Sequence, residues 1–109
     1  MATDTLTRLA QIISARRKAE NERSYTRQLL DAGTAKCARK FGEEAVETVI
    51  AALSEDENAL KSEAADTLYH LLVLLEERHV ALDDVLALLD ERMGQSGLAE
   101  KASRTKAAS

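Results

Sequence analysis

The 109-residue chain has no proline and no tryptophan, and its two tyrosines and one phenylalanine amount to 3% of it. Its core must therefore be built from Leu, Ala, Val and Ile carried on helices. Cys37 is the only cysteine, which excludes an intrachain disulfide and a zinc cage and fits a reducing compartment. A small apolar filler is role enough for it. No run approaches the ~18 apolar residues of a membrane span, and the N-terminus lacks a basic segment followed by an apolar one. A cytoplasmic protein without membrane contact is expected. A net charge of −4 and a pI near 5.2 argue against a dedicated nucleic-acid binder. No segment alternates at period two, so no sheet is expected.

What is present is helical periodicity over one domain's length. The spacing predicts a first helix from about Asp4 to Lys18, with Leu6, Leu9, Ile12 and Ile13 on one face. Arg16, Arg17 and Lys18 close it, where cations suit the helix dipole. A polar stretch follows. Ser24 then caps a short helix that ends at Gly33. A third helix spans Thr34 to Leu53. Ser54 and Glu57 have capping-box spacing and open a fourth, which ends near Arg78. A fifth runs from Leu82 to Met93, with Val85, Leu86, Leu88 and Leu89 inward and Gly94 as its stop. The expected architecture is an all-α bundle of four to five helices over residues 1–94. Residues 95–109, small, polar and weakly basic, read as a disordered tail.

Asp66 is the residue that points to chemistry. It lies in Glu63-Ala-Ala-Asp66-Thr-Leu-Tyr-His70-Leu-Leu-Val-Leu-Leu75, a run apolar around most of its circumference. Glu63, Asp66, His70 and Glu77 share one narrow stripe of that helix. A carboxylate amid so much apolar surface costs several kcal/mol, ~2–7 by transfer data, unless a cation compensates it. The alternative is a thin solvated stripe. A second acidic pair, Glu44 and Glu47, has the same i, i+3 spacing. It sits opposite a face of Ala38, Phe41, Ala45, Val49, Ala52 and Leu53, extended by Val46 and Ile50. The short polar link between the two helices makes them antiparallel neighbours, about 8–10 Å apart. Facing carboxylates repel without a cation. Hard oxygen ligands suit Mg²⁺, Mn²⁺ or Ca²⁺, of which the first two act with phosphates. Lys36 and Lys40 share the acidic face and offer phosphate contacts. For Lys40 the alternative is an i, i+4 ion pair with Glu44. The nearly all-round apolar fourth helix cannot be covered by its own chain and asks for a second copy.

Glu43-Glu44-x-x-Glu47 followed by Glu63-x-x-Asp66 resembles the signature of the all-α nucleoside triphosphate pyrophosphohydrolases, the MazG-like superfamily. Ser24-Tyr25-Thr26-x-x-Leu29-Leu30-x-x-Gly33, Lys40-Phe41-Gly42-Glu43-Glu44-Ala45-x-Glu47 and the run from Glu63 to Leu75 narrow the resemblance to the phosphoribosyl-ATP pyrophosphohydrolase family, over about Leu6 to Arg92. That resemblance implies hydrolysis of phosphoribosyl-ATP to phosphoribosyl-AMP and pyrophosphate, the second step of histidine biosynthesis, with Mg²⁺ (or Mn²⁺) in a homodimer. By the same resemblance Glu44, Glu47, Glu63 and Asp66 are the metal ligands, and Glu43 orients the attacking water or supports a ligand. Lys40 touches phosphate, and Ser24, Tyr25 and Thr26 lie near the substrate. Lys36 and Arg16 complete the candidate substrate contacts. The alternative for Ser24 and Tyr25 is a helix cap and a packed ring, and for Arg16 the dipole role. His70 reads as a hydrogen-bonded core histidine. Phe41, His79 and Ala81 stand where the family usually has an aliphatic residue, a glycine and a hydroxyl cap. With no cyclohydrolase segment, a free-standing enzyme is expected.

Two rival readings remain at the sequence level. One is a MazG-like housekeeping enzyme with the same acids and a different nucleotide. The other is a non-catalytic helical dimer whose acids bind a structural ion or stay solvated.

Overall fold

Ser24 enters the chain's shortest helix in an extended conformation, and its Oγ accepts the backbone N–H of Arg27 at 3.1 Å, so one otherwise orphaned donor is satisfied. The computed structural model describes residues 2–19 and 23–94, and the tail expected at 95–109 lies outside the described residues. Five helices follow in order: α1 (Ala2–Lys18), α2 (Tyr25–Ala32), α3 (Thr34–Ser54), α4 (Glu57–Glu77) and α5 (Leu82–Met93). No strand occurs among the described residues, so the fold is all-α. α1 begins two residues before the expected Asp4, within the variation usual at helix ends.

Glycine decides the α2–α3 corner. Gly33 sits at φ 96° and ψ 178°, a region that L side chains rarely adopt. Its N–H donates to Leu30 O at 3.4 Å and its carbonyl accepts from Cys37 N at 3.2 Å, so one residue ends α2 and opens α3. Arg27 closes the other junction: its Nη1 donates to the carbonyl of Arg16 in the last turn of α1, at 3.3 Å, and to that of Ala19 just past its end, at 2.6 Å.

The expected capping box does not form. Ser54 is the last residue of α3 and donates back to Ile50 O at 2.9 Å. Asp56 caps α4 instead, its Oδ1 accepting from Ala59 N at 2.8 Å. A carboxylate next to the first turn also meets the positive end of the helix dipole. At the far end of α4 the backbone closes as a Schellman motif, with His79 N–H on Glu76 O and Val80 N–H on Leu75 O. His79 occupies the left-handed position, φ 60°, where glycine is cheapest. Arg17 holds that corner: it donates to the carbonyl and carboxylate of Glu76, and its Nη2 lies 2.9 Å from His79 Nε2.

The core is small. Ile13 of α1, Leu29 and Leu30 of α2, Cys37 of α3, and Leu72 and Val73 of α4 are buried together, with Leu6, Leu9, Tyr69, Leu74, Leu75 and Leu82 packed around them. Each fully buried aliphatic contributes roughly 1.5–3 kcal/mol. Cys37 fills space as anticipated; burial, and then the nearby Glu77 charge, push its thiol pKa up, so it stays protonated and unreactive.

α3 and α4 are the most extensively packed pair, yet they pack through a polar seam. In consequence much of the apolar face of α3 looks out. Val46 is 58% exposed, Val49 56%, Ile50 49% and Leu53 82%, and Ala38 and Ala52 are exposed with them. Leu88 and Leu89 of α5, expected inward, are exposed, because α5 rests only lightly on the bundle, chiefly against α1. α4 likewise leaves Ala65 and Leu68 outside.

Candidate active site

The helical repeat puts Glu44 of α3 and Glu63 of α4 on facing sides of the seam, half-buried, while Glu47 and Asp66 stand toward solvent. Ligand oxygens of Glu44, Glu63 and Asp66 all lie within 4.8 Å of one another. Oε2 of Glu44 and Oε2 of Glu63 are buried with no hydrogen-bond donor among the described residues. Glu47 approaches both within hydrogen-bonding reach.

Such crowding has a predictable electrostatic result. Glu63 is pushed up to about 7, first by the hydrogen bond it shares with Glu47, then by burial, then by the charges of Glu47, Glu44 and Asp66. Glu44 is also raised, by burial and then by Glu47 and Asp66, with Lys40 pulling the other way. The folded-state pKa of Glu63 exceeds its unfolded value near 4.5. Without a cation, its contribution to stability is therefore fully present below about 4.5 and is lost as pH rises through about 7. The four acids are comfortable with a shared proton or with a cation, and not with neither.

A divalent cation fits what is there. Two oxygens on opposite sides of one Mg²⁺ are about 4.2 Å apart, given Mg–O distances of ~2.0–2.1 Å. Cis oxygens are closer, about 2.9 Å apart, so a trio within 4.8 Å can converge on one ion by side-chain adjustment. The two donor-less oxygens are the atoms that such an ion would satisfy.

The remaining candidates divide into those near this cluster and those away from it. Lys40 pairs with Glu43 at 3.4 Å, not with Glu44 as the i, i+4 alternative had it. That hydrogen bond is the main cause holding its ammonium above the usual range. Glu43 stays outside the trio and lines, with Arg39, Gly42, Val46 and Glu47, an open groove of about 820 Å³. Lys36 stands one turn before Lys40 and is half-buried. Tyr25 is half-exposed, its ring edge-on to His70 with centroids 6.3 Å apart. Ser24 is the cap already described.

Thr26 is buried, its hydroxyl 2.5 Å from that of Tyr69, so it holds a ring in the core and does not face the groove. Arg16 is exposed beside the Tyr69 hydroxyl, whose pKa its charge lowers against the larger upward effect of burial. His70 is buried as expected but not hydrogen-bonded as expected: its Nδ1 has no partner among the described residues. Burial, followed by the Lys40 charge, lowers its pKa.

Two features went unread in the sequence. Arg39 lines the groove, and Thr48 meets Thr67 across the helix seam with hydroxyls 2.7 Å apart. The signal for the second was present, since a threonine directly follows the second acid of each pair.

The chain is similar to proteins of one family. Residues 6–93 match the family model described as phosphoribosyl-ATP pyrophosphohydrolase. A phosphoribosyl-ATP pyrophosphatase of Paracoccus denitrificans is 59% identical over 99 residues, covering 91% of this chain and 92% of the relative. One from Rhodobacter capsulatus is 57% identical, covering 91% and 96%. A phosphoribosyl-ATP pyrophosphatase 1 of Rhodopseudomonas palustris is 54% identical over 106 residues, covering 97% and 99%.

Proposed function

The chain belongs to the phosphoribosyl-ATP pyrophosphohydrolase family, and from that premise we propose how its residues carry the reaction. It is a hydrolase of histidine biosynthesis: phosphoribosyl-ATP and water give phosphoribosyl-AMP and pyrophosphate. The observation that carries the reading of the site is the pair of buried, donor-less oxygens on Glu44 and Glu63, with Asp66 in reach of both.

Glu44, Glu63 and Asp66, with Glu47 beside them, hold Mg²⁺, or Mn²⁺ in its place. When bound, the ion supplies Lewis acidity toward phosphate oxygens and favours ionised water. The protein's own residues do the rest. Glu43 and Glu47 line the groove and orient the attacking water. Lys40, a quarter exposed, exchanges its contact with Glu43 for phosphate oxygens and offsets charge developing on the departing pyrophosphate. Lys36 adds positive charge one turn away. Tyr25 packs edge-on to His70 and stands near enough to Lys40 for the two to interact electrostatically. Thr26 is buried and acts through Tyr69, whereas Arg16, exposed near the Tyr69 hydroxyl as Tyr25 is, offers its charge to the substrate. No covalent intermediate is required.

We further infer a homodimer formed through the outward face of α3. Val46, Val49, Ile50 and Leu53 make a continuous stripe that a monomer leaves in water. The groove borders that stripe at Val46, so a second copy there would wall the site. Among the described residues no helix is long and apolar enough to cross a membrane. The free thiol of Cys37 supports residence in the reducing cytoplasm.

The test is pyrophosphate release with Mg²⁺ from phosphoribosyl-ATP, ATP and dCTP in parallel, each repeated with chelator. Release from phosphoribosyl-ATP should exceed that from the others by at least about 100-fold and vanish with chelator. Faster release from the simple triphosphates would make the chain a housekeeping enzyme, and release from none would leave the non-catalytic dimer.

A further inference from the structure

Among the described residues two side-chain hydrogen bonds join α3 and α4: Thr34 Oγ1 donates to Glu77 Oε2 at 2.6 Å at one end, and Thr48 meets Thr67 at the level of the acids. The hydroxyl oxygens of Thr48 and Thr67 are 2.7 Å apart. Each hydroxyl also lies 2.9 Å from the carbonyl oxygen four residues back, and those carbonyls belong to Glu44 and Glu63. These are the two acids whose buried carboxylate oxygens lack a donor. The residues directly before the threonines are Glu47 and Asp66, so each hydroxyl is flanked by both members of an acidic pair.

Proton counting shows what this arrangement does. Two hydroxyls own two protons, and three contacts compete for them. Leaving the 2.7 Å contact without a proton would press two oxygens together, so two arrangements remain, and in each one proton crosses the seam while the other returns to one acid's carbonyl. The cross-helix bond is thus present in both arrangements, and the spare bond alternates between Glu44 and Glu63. A threonine bonded back to the i−4 carbonyl also bends its helix locally.

We propose that Thr48 and Thr67 are positioning residues that set the separation of the two acidic pairs and thereby the affinity of the site for its divalent cation. The inference rests on the reading of Glu44, Glu47, Glu63 and Asp66 as the cation site. The threonines touch neither cation nor substrate; they act through the backbone of Glu44 and Glu63. Valine has threonine's shape without its hydroxyl, so it fills the seam and removes only the bond.

The experiment is Mn²⁺ binding to the metal-free full-length protein, read from the electron paramagnetic resonance signal of free Mn²⁺. Wild type is compared with Thr48→Val, Thr67→Val, the double variant, and the two Thr→Ser variants. Each Val substitution should weaken binding about tenfold, the lower end of what supporting contacts around metal sites contribute. The double variant should lose little more than either single one, because all three lack the same bond. Serine keeps the hydroxyl and should bind within about twofold of wild type by the same reasoning. Wild-type affinity in the Val variants, losses that multiply in the double variant, or serine behaving like valine would each overturn the proposal. If wild type itself binds no Mn²⁺ while the fold is intact, the reading of the acids fails first and the inference falls with it.

Discussion

Asp66→Asn loses turnover of phosphoribosyl-ATP by on the order of 1000-fold, the scale seen when one preorganised electrostatic contact to a transition state is removed, while the protein stays folded. Asp66 is exposed on α4, and asparagine has its size, so circular dichroism should show unchanged helix content. Glu63→Gln should lose activity on the same scale and carry a second signature. Glu63 is pushed up to about 7 by Glu47, burial and its acidic neighbours, so its neutral form is the one that the cation-free fold prefers. A permanently neutral glutamine removes that repulsion. Above pH 7 the metal-free variant should melt at a higher temperature than metal-free wild type, a gain in stability at the expense of function. Activity assays and thermal melts on metal-free protein read both effects. Near wild-type turnover in both variants would remove these acids from the reaction.

The second large effect concerns assembly. Ile50→Glu should convert the dimer to a monomer at micromolar concentration. Ile50 lies mid-stripe between Val46, Val49 and Leu53, all half-exposed or more in the single chain. In a two-fold interface each residue appears twice, so one substitution introduces two charges where apolar contact is expected. An unpaired buried charge costs about 3–5 kcal/mol, enough to weaken dimerisation by more than about 100-fold. Sedimentation velocity distinguishes the two states. Because Val46 also lines the groove beside Glu43 and Glu47, the monomer should have reduced activity even though every acid is present. A monomeric wild type, or a variant that dimerises as tightly, would remove α3 from the interface.

Much of the bundle was legible because its signals are local. The bounds of α5 follow from its apolar repeat and Gly94, and Gly33 is recognisable as the corner where α2 gives way to α3. The acidic pairs were legible too, since i, i+3 spacing on two helices joined by a short link leaves little freedom. The α4 cap was misread because Ser54 and Asp56 both offer a capping oxygen, and which one is used depends on where α3 lets go. Periodicity said least about the surroundings of α3. It correctly grouped Val46, Val49, Ile50 and Leu53 on one face, but it does not say what covers a face, and within one chain α4 takes the other side. His70 shows the same limit: a histidine in an apolar run reads as buried, whereas the lack of a partner for Nδ1 depends on which helices surround it. The Thr48–Thr67 contact needed the register between two helices, which no single-helix pattern contains.

The most direct test of the acidic cluster is calorimetric titration of Mn²⁺ into metal-free protein between pH 6 and 8, in buffers of different ionisation enthalpy. Binding needs ionised carboxylates. With Glu63 titrating at about 7, affinity should rise with pH across this range, and protons should be released at pH 6 and hardly at all at pH 8. Glu63→Gln should lose both the affinity and its pH dependence. Absence of Mn²⁺ binding, or binding that is indifferent to pH and unchanged in Glu63→Gln, would contradict a cation site built from Glu44, Glu47, Glu63 and Asp66.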